Sequence, residues 1–206
     1  NPNNPTSTAI SRSDMRQILD ICKENGIYVL VDETYVEFAE DLHAITAIPL
    51  SQYYNNIIVL RGVSKFFAAP GLRLGYAVCG NRDLVKEVVG HQDPWAINTL
   101  AAIAGEIMFT DEDYIARTRK LISSERDRIC QKLDSIPGVA YYPPKANFIL
   151  LKILKEDVAA MDIFEAAIRK KLMIRDCSDF PFLNNKYFRF CIMMPEKNDE
   201  LLNVIE

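Results

Sequence analysis

The sequence predicts an α/β domain followed by a smaller α+β domain, and two observations carry that expectation. Three near-continuous apolar runs, "IYVLVDE" (27–33), "NIIVLRG" (56–62) and "RLGYAVCG" (73–80), alternate with helix-periodic segments and short connections. That is how strands buried on both faces of a parallel sheet read. After about position 111 the rhythm changes to short strands and helices in mixed order. The boundary is therefore set between residues 1–110 and residues 111–206.

The elements follow in order. Ser11 and Asp14 read as a capping pair that opens a helix. Met15, Ile18, Leu19 and Cys22 then form one apolar face at helical spacing, and Gly26 ends it. After the three strands, a short helix starts at Asn81 and stops before Pro94, and "INTLAAIAGEIMF" resumes helix. A long amphipathic helix starts near Asp111 with Ile115, Ile122, Ile129 and Leu133 on one stripe, and ends at Pro137-Gly138. Beyond it, "VAYYP" and "NFILLKI" read as strands and "DIFEAAIRKKL" as a helix. "MIRDC" and "YFRFCIM" are strands again, and "EKNDELLNVI" closes as a helix.

Composition narrows the function classes. The 206 residues carry a net charge of -4 and a pI near 5.3, which argues against a nucleic-acid or anionic-membrane surface. No apolar run approaches the length of a membrane helix. The five cysteines are scattered and the only histidines are His43 and His91, so no zinc-type spacing exists and no metal is expected. Reduced thiols in a cytoplasmic protein are the expectation. The opening "NPNNPTST" has no initiator Met, and the chain is expected to be a piece of a longer protein, inactive alone.

Four short segments bear chemistry: "NPNNPT" at the start, "DETY" at 32–35, "SK" at 64–65 and "GLRLG" at 71–75. Each also has a plain structural reading, as a turn, a loop carboxylate, a lysine snorkelling from a strand end, or the entry to an edge strand. In α/β sheets function gathers at the C-terminal ends of strands, and Asp32 and Lys65 both follow one. An amine in apolar surroundings is destabilised in its charged form, which makes it a usable nucleophile.

In order and spacing, these four segments resemble the pyridoxal-phosphate-dependent class I/II aminotransferases of fold type I. The resemblance runs along the whole chain but matches only the C-terminal portion of that family. It implies an incomplete large domain, a remnant sheet with flanking helices, plus a small α+β C-terminal domain. It further implies that Lys65 is the covalent attachment point for pyridoxal phosphate. Asp32 would face the ring nitrogen as a buried carboxylate, and Tyr35 and Asn4 would bond the phenolic oxygen. Ser64 and Arg73 would hold the phosphate. One departure stands out: Gly62 occupies a position where family members often carry Ser or Thr, which removes one hydroxyl contact. A small-molecule amino-acid substrate and a homodimer are likewise what the resemblance implies.

Two arginines bear on the substrate. Arg189, in "YFRFCI", is flanked by aromatic residues, a costly setting for an unpaired guanidinium, and the resemblance makes it the clamp for a substrate carboxylate. Arg175, in "MIRDC", also reads as a solvated strand end. Within the family, "PWAINTLAAIAGE", "KANFILLKI" and the Arg175–Arg189 spacing look most like threonine-phosphate decarboxylase. Histidinol-phosphate aminotransferase is the alternative, and Pro181-Phe182 departs from the decarboxylase pattern. A ligand-sensing domain of a transcription regulator is the alternative of another class.

Overall fold

A computed structural model describes residues 1–206, which divide into two compact units. The first comprises Asn1 and Ala9–Thr118, and the second Pro2–Thr8 and Arg119–Glu206.

The first unit opens with helix α1 (Arg12–Glu24). Ser11 caps it, accepting from the Asp14 amide at 3.1 Å, and Gly26 follows its end with a φ of 68°. Strand β1 (Val29–Asp32) leads to a 3-10 turn at Val36–Phe38, the short helix α2 (Leu42–Ile45) and a second 3-10 turn at Ile48–Gln52. Strand β2 (Ile57–Gly62) pairs parallel with β1. Strand β3 (Gly75–Val78) pairs antiparallel with β2, giving the order β1-β2-β3. The third apolar run is thus not a parallel strand. Between β2 and β3 lies only a loop with a 3-10 turn at Pro70–Leu72, and without a crossover helix the chain returns antiparallel. Helices α3 (Arg82–Gly90) and α4 (Thr99–Thr110) follow, capped by Asn81 and Asn98.

One face of this sheet is covered. Val31, Ile57 and Val59 pack with Met15 and Leu19 of α1 and with Ala47 and Leu50. The opposite face is not buried as the apolar runs predict: Leu30 is 62% exposed and Ala77 is exposed. An apolar groove of about 980 Å³ lies there, lined by Leu30, Ile58, Leu60 and Ala77 of the sheet and by Val85 and Val88 of α3.

Helix α5 (Glu112–Asp134) contains the boundary between the units. In the second unit β4 (Val139–Tyr141), β5 (Phe148–Ile153), β6 (Arg175–Asp176) and β7 (Tyr187–Cys191) form an antiparallel sheet of order β4-β5-β7-β6. Phe148 through Leu151 are all buried, so β5 is covered on both faces. Helices α6 (Ala160–Arg169) and α7 (Pro195–Ile205) complete it. Glu125 accepts from Asn198 at 2.7 Å and from Arg128 at 2.8 Å, joining α5 to α7. The Arg128 guanidinium holds the Glu125 carboxyl below its ordinary range. No helix is long and apolar enough to cross a membrane.

Candidate functional site

Alternation along β1 decides which carboxylate is buried. Val31 points into the covered face, so Asp32 points to the bare face and Glu33 returns to the covered one. Asp32 is accordingly exposed, not the buried carboxylate that the resemblance implies. Its Oδ1 accepts from the Thr34 amide at 2.9 Å and from the Thr34 hydroxyl. Gly62 and Gly75 face one another across the β2–β3 ladder on that same bare face. Backbones approach closely there: a Cβ at Gly75 would meet the Arg61 carbonyl at 2.8 Å, and one at Gly62 the Leu74 carbonyl at 3.2 Å.

Lys65 follows β2 and is exposed, which corrects the expectation of a dry amine. Its apolar neighbours turn away from it. Val63 is 0% exposed, and Phe66 is 2% exposed, packed against Phe38 at 5.1 Å and Tyr114 at 6.1 Å. Those two take the inward positions, leaving the lysine to point out. The ammonium sits 5.7 Å from the Tyr35 ring centroid, so this predicted pair is together. Ser64 is half-buried beside it. Arg73 is exposed in the left-handed region (φ 54°), and its guanidinium donates to the Pro70 carbonyl at 2.9 Å.

The remaining predicted residues belong to the second unit. Arg189, in the middle of β7, is half-buried, with its guanidinium 5.0 Å from the Phe148 ring centroid and donating to Asn4 Oδ1. Its ladder partner on β6 is Arg175, so two guanidinium side chains stand directly opposite one another on one face. Like charges so placed repel. Asp179 and the Phe180 ring at 5.9 Å accompany exposed Arg175. Between such arginines an anion is favoured. Burial pushes the nearby Cys177 thiol up to about 11, with both arginines acting in the opposite direction.

Ser7, three residues after Asn4, is fully buried at φ 61°, and its amide donates to the Asn3 carbonyl at 2.8 Å. The Ser7 hydroxyl accepts from the Ala146 amide at 2.9 Å and the Lys145 amide at 3.2 Å. Ser7→Ala keeps the unfavourable φ and orphans the Ala146 amide, while the Lys145 amide keeps the Ser7 carbonyl at 2.7 Å, so urea unfolding of the chain should show a loss of about 1–3 kcal/mol. Ser7→Gly loses the same bonds but suits the backbone, and should cost less.

The sequence reading missed an ionic network. Glu33 is fully buried and accepts from Arg61 Nη2 at 2.7 Å and Nε at 3.0 Å, from the Thr46 hydroxyl at 2.9 Å and from the Ala47 amide at 2.5 Å. Arg61 Nη1 also donates to Glu37 Oε1 at 3.4 Å. Strand parity was the available signal: Glu33 shares the phase of Val31, and Arg61 that of Ile57 and Val59.

Residues 1–205 match the family described as aminotransferase class I and II. The chain belongs to that family. It is 34% identical over 201 residues to a threonine-phosphate decarboxylase of Salmonella typhimurium, covering 98% of this chain and 54% of that protein. A histidinol-phosphate aminotransferase of Archaeoglobus fulgidus is 35% identical over 204 residues, covering 99% of this chain and 55% of that one. The solved histidinol-phosphate aminotransferase of Clostridium acetobutylicum superposes with a TM-score of 0.92 at 28% identity, over 99% of this chain and 60% of that structure. The chain thus spans about 55% of the length of the curated family relatives it matches.

Proposed function

We propose that this member of the aminotransferase family works with pyridoxal phosphate on a small phosphorylated amino acid, most closely as a threonine-phosphate decarboxylase. The observation that carries the substrate reading is the ladder pair Arg175–Arg189. Both relatives are named for phosphorylated amines, but threonine phosphate bears a carboxylate as well as a phosphate. Two facing guanidiniums suit a substrate with two anionic groups. Histidinol phosphate, which lacks the carboxylate, is the competing substrate, for transamination.

The residues present fit the cofactor. Asp32 projects to a sheet face to which the Gly62–Gly75 pair adds no side chains, so that backbone there is bare toward a flat ring. When bound, pyridoxal phosphate acts as an electron sink for the carbon next to the substrate nitrogen. Asp32 would hold the proton on the ring nitrogen. Lys65 would carry the covalent link and, once released, move the proton at the substrate Cα. Ser64 and Arg73 would hold the phosphate, Arg73 by exchanging its Pro70 contact for a charged partner. Tyr35 would donate to the phenolic oxygen. Asn4 gives its Oδ1 to Arg189, so its amide hydrogens remain for that same oxygen. Arg189 would fix the substrate carboxylate, and with it which Cα bond is cleaved, while Arg175 would take the second anion.

The full-length gene product should therefore form a visible adduct with pyridoxal phosphate that borohydride reduces onto the peptide containing Lys65. Lys65→Ala should abolish it. With threonine phosphate the loaded protein should release carbon dioxide without converting the cofactor to its amine form. Stoichiometric pyridoxamine phosphate from histidinol phosphate, with no gas, would favour transamination. An undiminished adduct in Lys65→Ala would remove Lys65 from the site.

A further inference from the structure

Glu33 and Arg61 occupy a row that apolar residues otherwise fill. They continue Val31 and Val59 on the covered face, at the C-terminal ends of β1 and β2. Desolvating two charges offsets much of their attraction, so a buried ion pair is seldom there for stability alone. Its position suggests another reason. The β1–β2 ladder stops where the Glu33 amide donates to the Leu60 carbonyl at 2.8 Å; beyond that point β1 has ended, while β2 runs on to Gly62 paired only with β3. No further backbone bond of this ladder fixes Asp32 relative to the turn that carries Lys65.

We propose that Glu33 and Arg61 are positioning residues, which hold the ends of β1 and β2 and so fix Asp32 and the Ser64–Lys65 turn relative to one another. This deepens the cofactor reading given above and rests on it. The network grips each relevant segment once. Glu33 directly follows Asp32, and pinning its carboxylate inward obliges Asp32 to point to the bare face. Arg61 lies four residues before Lys65, and its Nη1 reaches Glu37, two residues past Tyr35. Thr46 and Ala47 anchor the carboxylate from a third direction. A guanidinium with two donors on one carboxylate fixes angle as well as distance, which an ammonium cannot. Tyr76, the ladder partner of Arg61 on β3, bounds it on the remaining side.

The test uses the full-length gene product, the paired variant Glu33→Met with Arg61→Leu, and the single variant Arg61→Lys. The paired variant replaces the charges by apolar side chains and is expected to keep its unfolding midpoint. In both variants amide hydrogen exchange at Thr34 and at Val63, whose amide donates to the Leu74 carbonyl at 3.2 Å at the start of the Lys65 turn, should accelerate at least about tenfold, and the pyridoxal phosphate concentration for half-saturation should rise about tenfold. Exchange at Leu19 and Leu50, in the core, should not change. Folded variants with unaltered exchange at Thr34 and Val63 and unaltered half-saturation would overturn the proposal. If the paired variant does not fold, Arg61→Lys decides by the same readouts. Should the parent protein take no adduct at Lys65, the cofactor reading falls, while the exchange rates still decide whether the pair fixes the strand ends.

Discussion

Gly80→Ala is expected to destabilise the first unit by about 3 kcal/mol or more. A Cβ at that position would lie 1.8 Å from the Ser51 carbonyl oxygen and 3.0 Å from its carbon. Both are backbone atoms, so no rotamer change relieves the overlap. The turn that presents them is tied down: the Ser51 hydroxyl donates to the Ile48 carbonyl at 2.7 Å, and the Leu50 amide to Ala47 at 2.9 Å. Leu50 itself is 1% exposed in the core against Met15 and Leu19. Moving Ser51 away therefore drags a packed leucine with it. From the other side, Asn81 donates to the Asn55 carbonyl at 3.1 Å and holds the strand exit where it is. Gly90 is the control, because nothing lies within 4 Å of the Cβ it would carry. Gly90→Ala in α3 should be neutral or stabilising by up to about 1 kcal/mol. Urea unfolding of both variants separates the two outcomes; equal midpoints would mean that the Gly80 contact does not constrain the fold.

Much of this architecture is legible in the sequence, and the failures have physical causes. The apolar runs at 27–33 and 56–62 locate β1 and β2, and the cap at Ser11 and the helix start at Asn81 stand where the polar residues suggest. An apolar run records that a strand prefers burial, not what covers it. Leu30 is 62% exposed because no segment of this chain packs over it. Strand direction is equally silent locally: β3 looks like its neighbours, and only the loop before it settles that it runs antiparallel. At the site, "DE" offers two carboxylates in adjacent positions, and which one is buried depends on strand phase relative to a core known only from packing. The apolar neighbours of Lys65 suggested a buried amine. Val63 and Phe66 take the inward places instead, and the lysine is left outside. The aromatic flanks of Arg189 leave it half-buried in β7, but its partner Asn4 is 185 residues away and no local pattern names it.

Glu33→Ala is expected to cost about 3–5 kcal/mol, the range for removing one partner of a buried ion pair. The loss has two parts. Arg61 keeps its charge, with a side chain only 12% exposed, and retains Glu37 at 3.4 Å as its carboxylate partner. The Ala47 amide and the Thr46 hydroxyl lose their acceptor in a region with no access for water, since both residues are nearly fully buried. Glu33→Gln should cost less, because an amide oxygen still accepts from Ala47 or Thr46, although its NH₂ then faces the Arg61 guanidinium. Replacing both charges, as in Glu33→Met with Arg61→Leu, should restore most of the stability, because no charge is then left desolvated. The order of unfolding free energies by urea titration is therefore parent and paired variant together, then Glu33→Gln, then Glu33→Ala. An additive result, in which the paired variant is worse than either single change, would mean that each side chain contributes separately. A Glu33→Ala protein within about 1 kcal/mol of the parent would mean that the pair is solvated in solution and that its charges are of the surface kind.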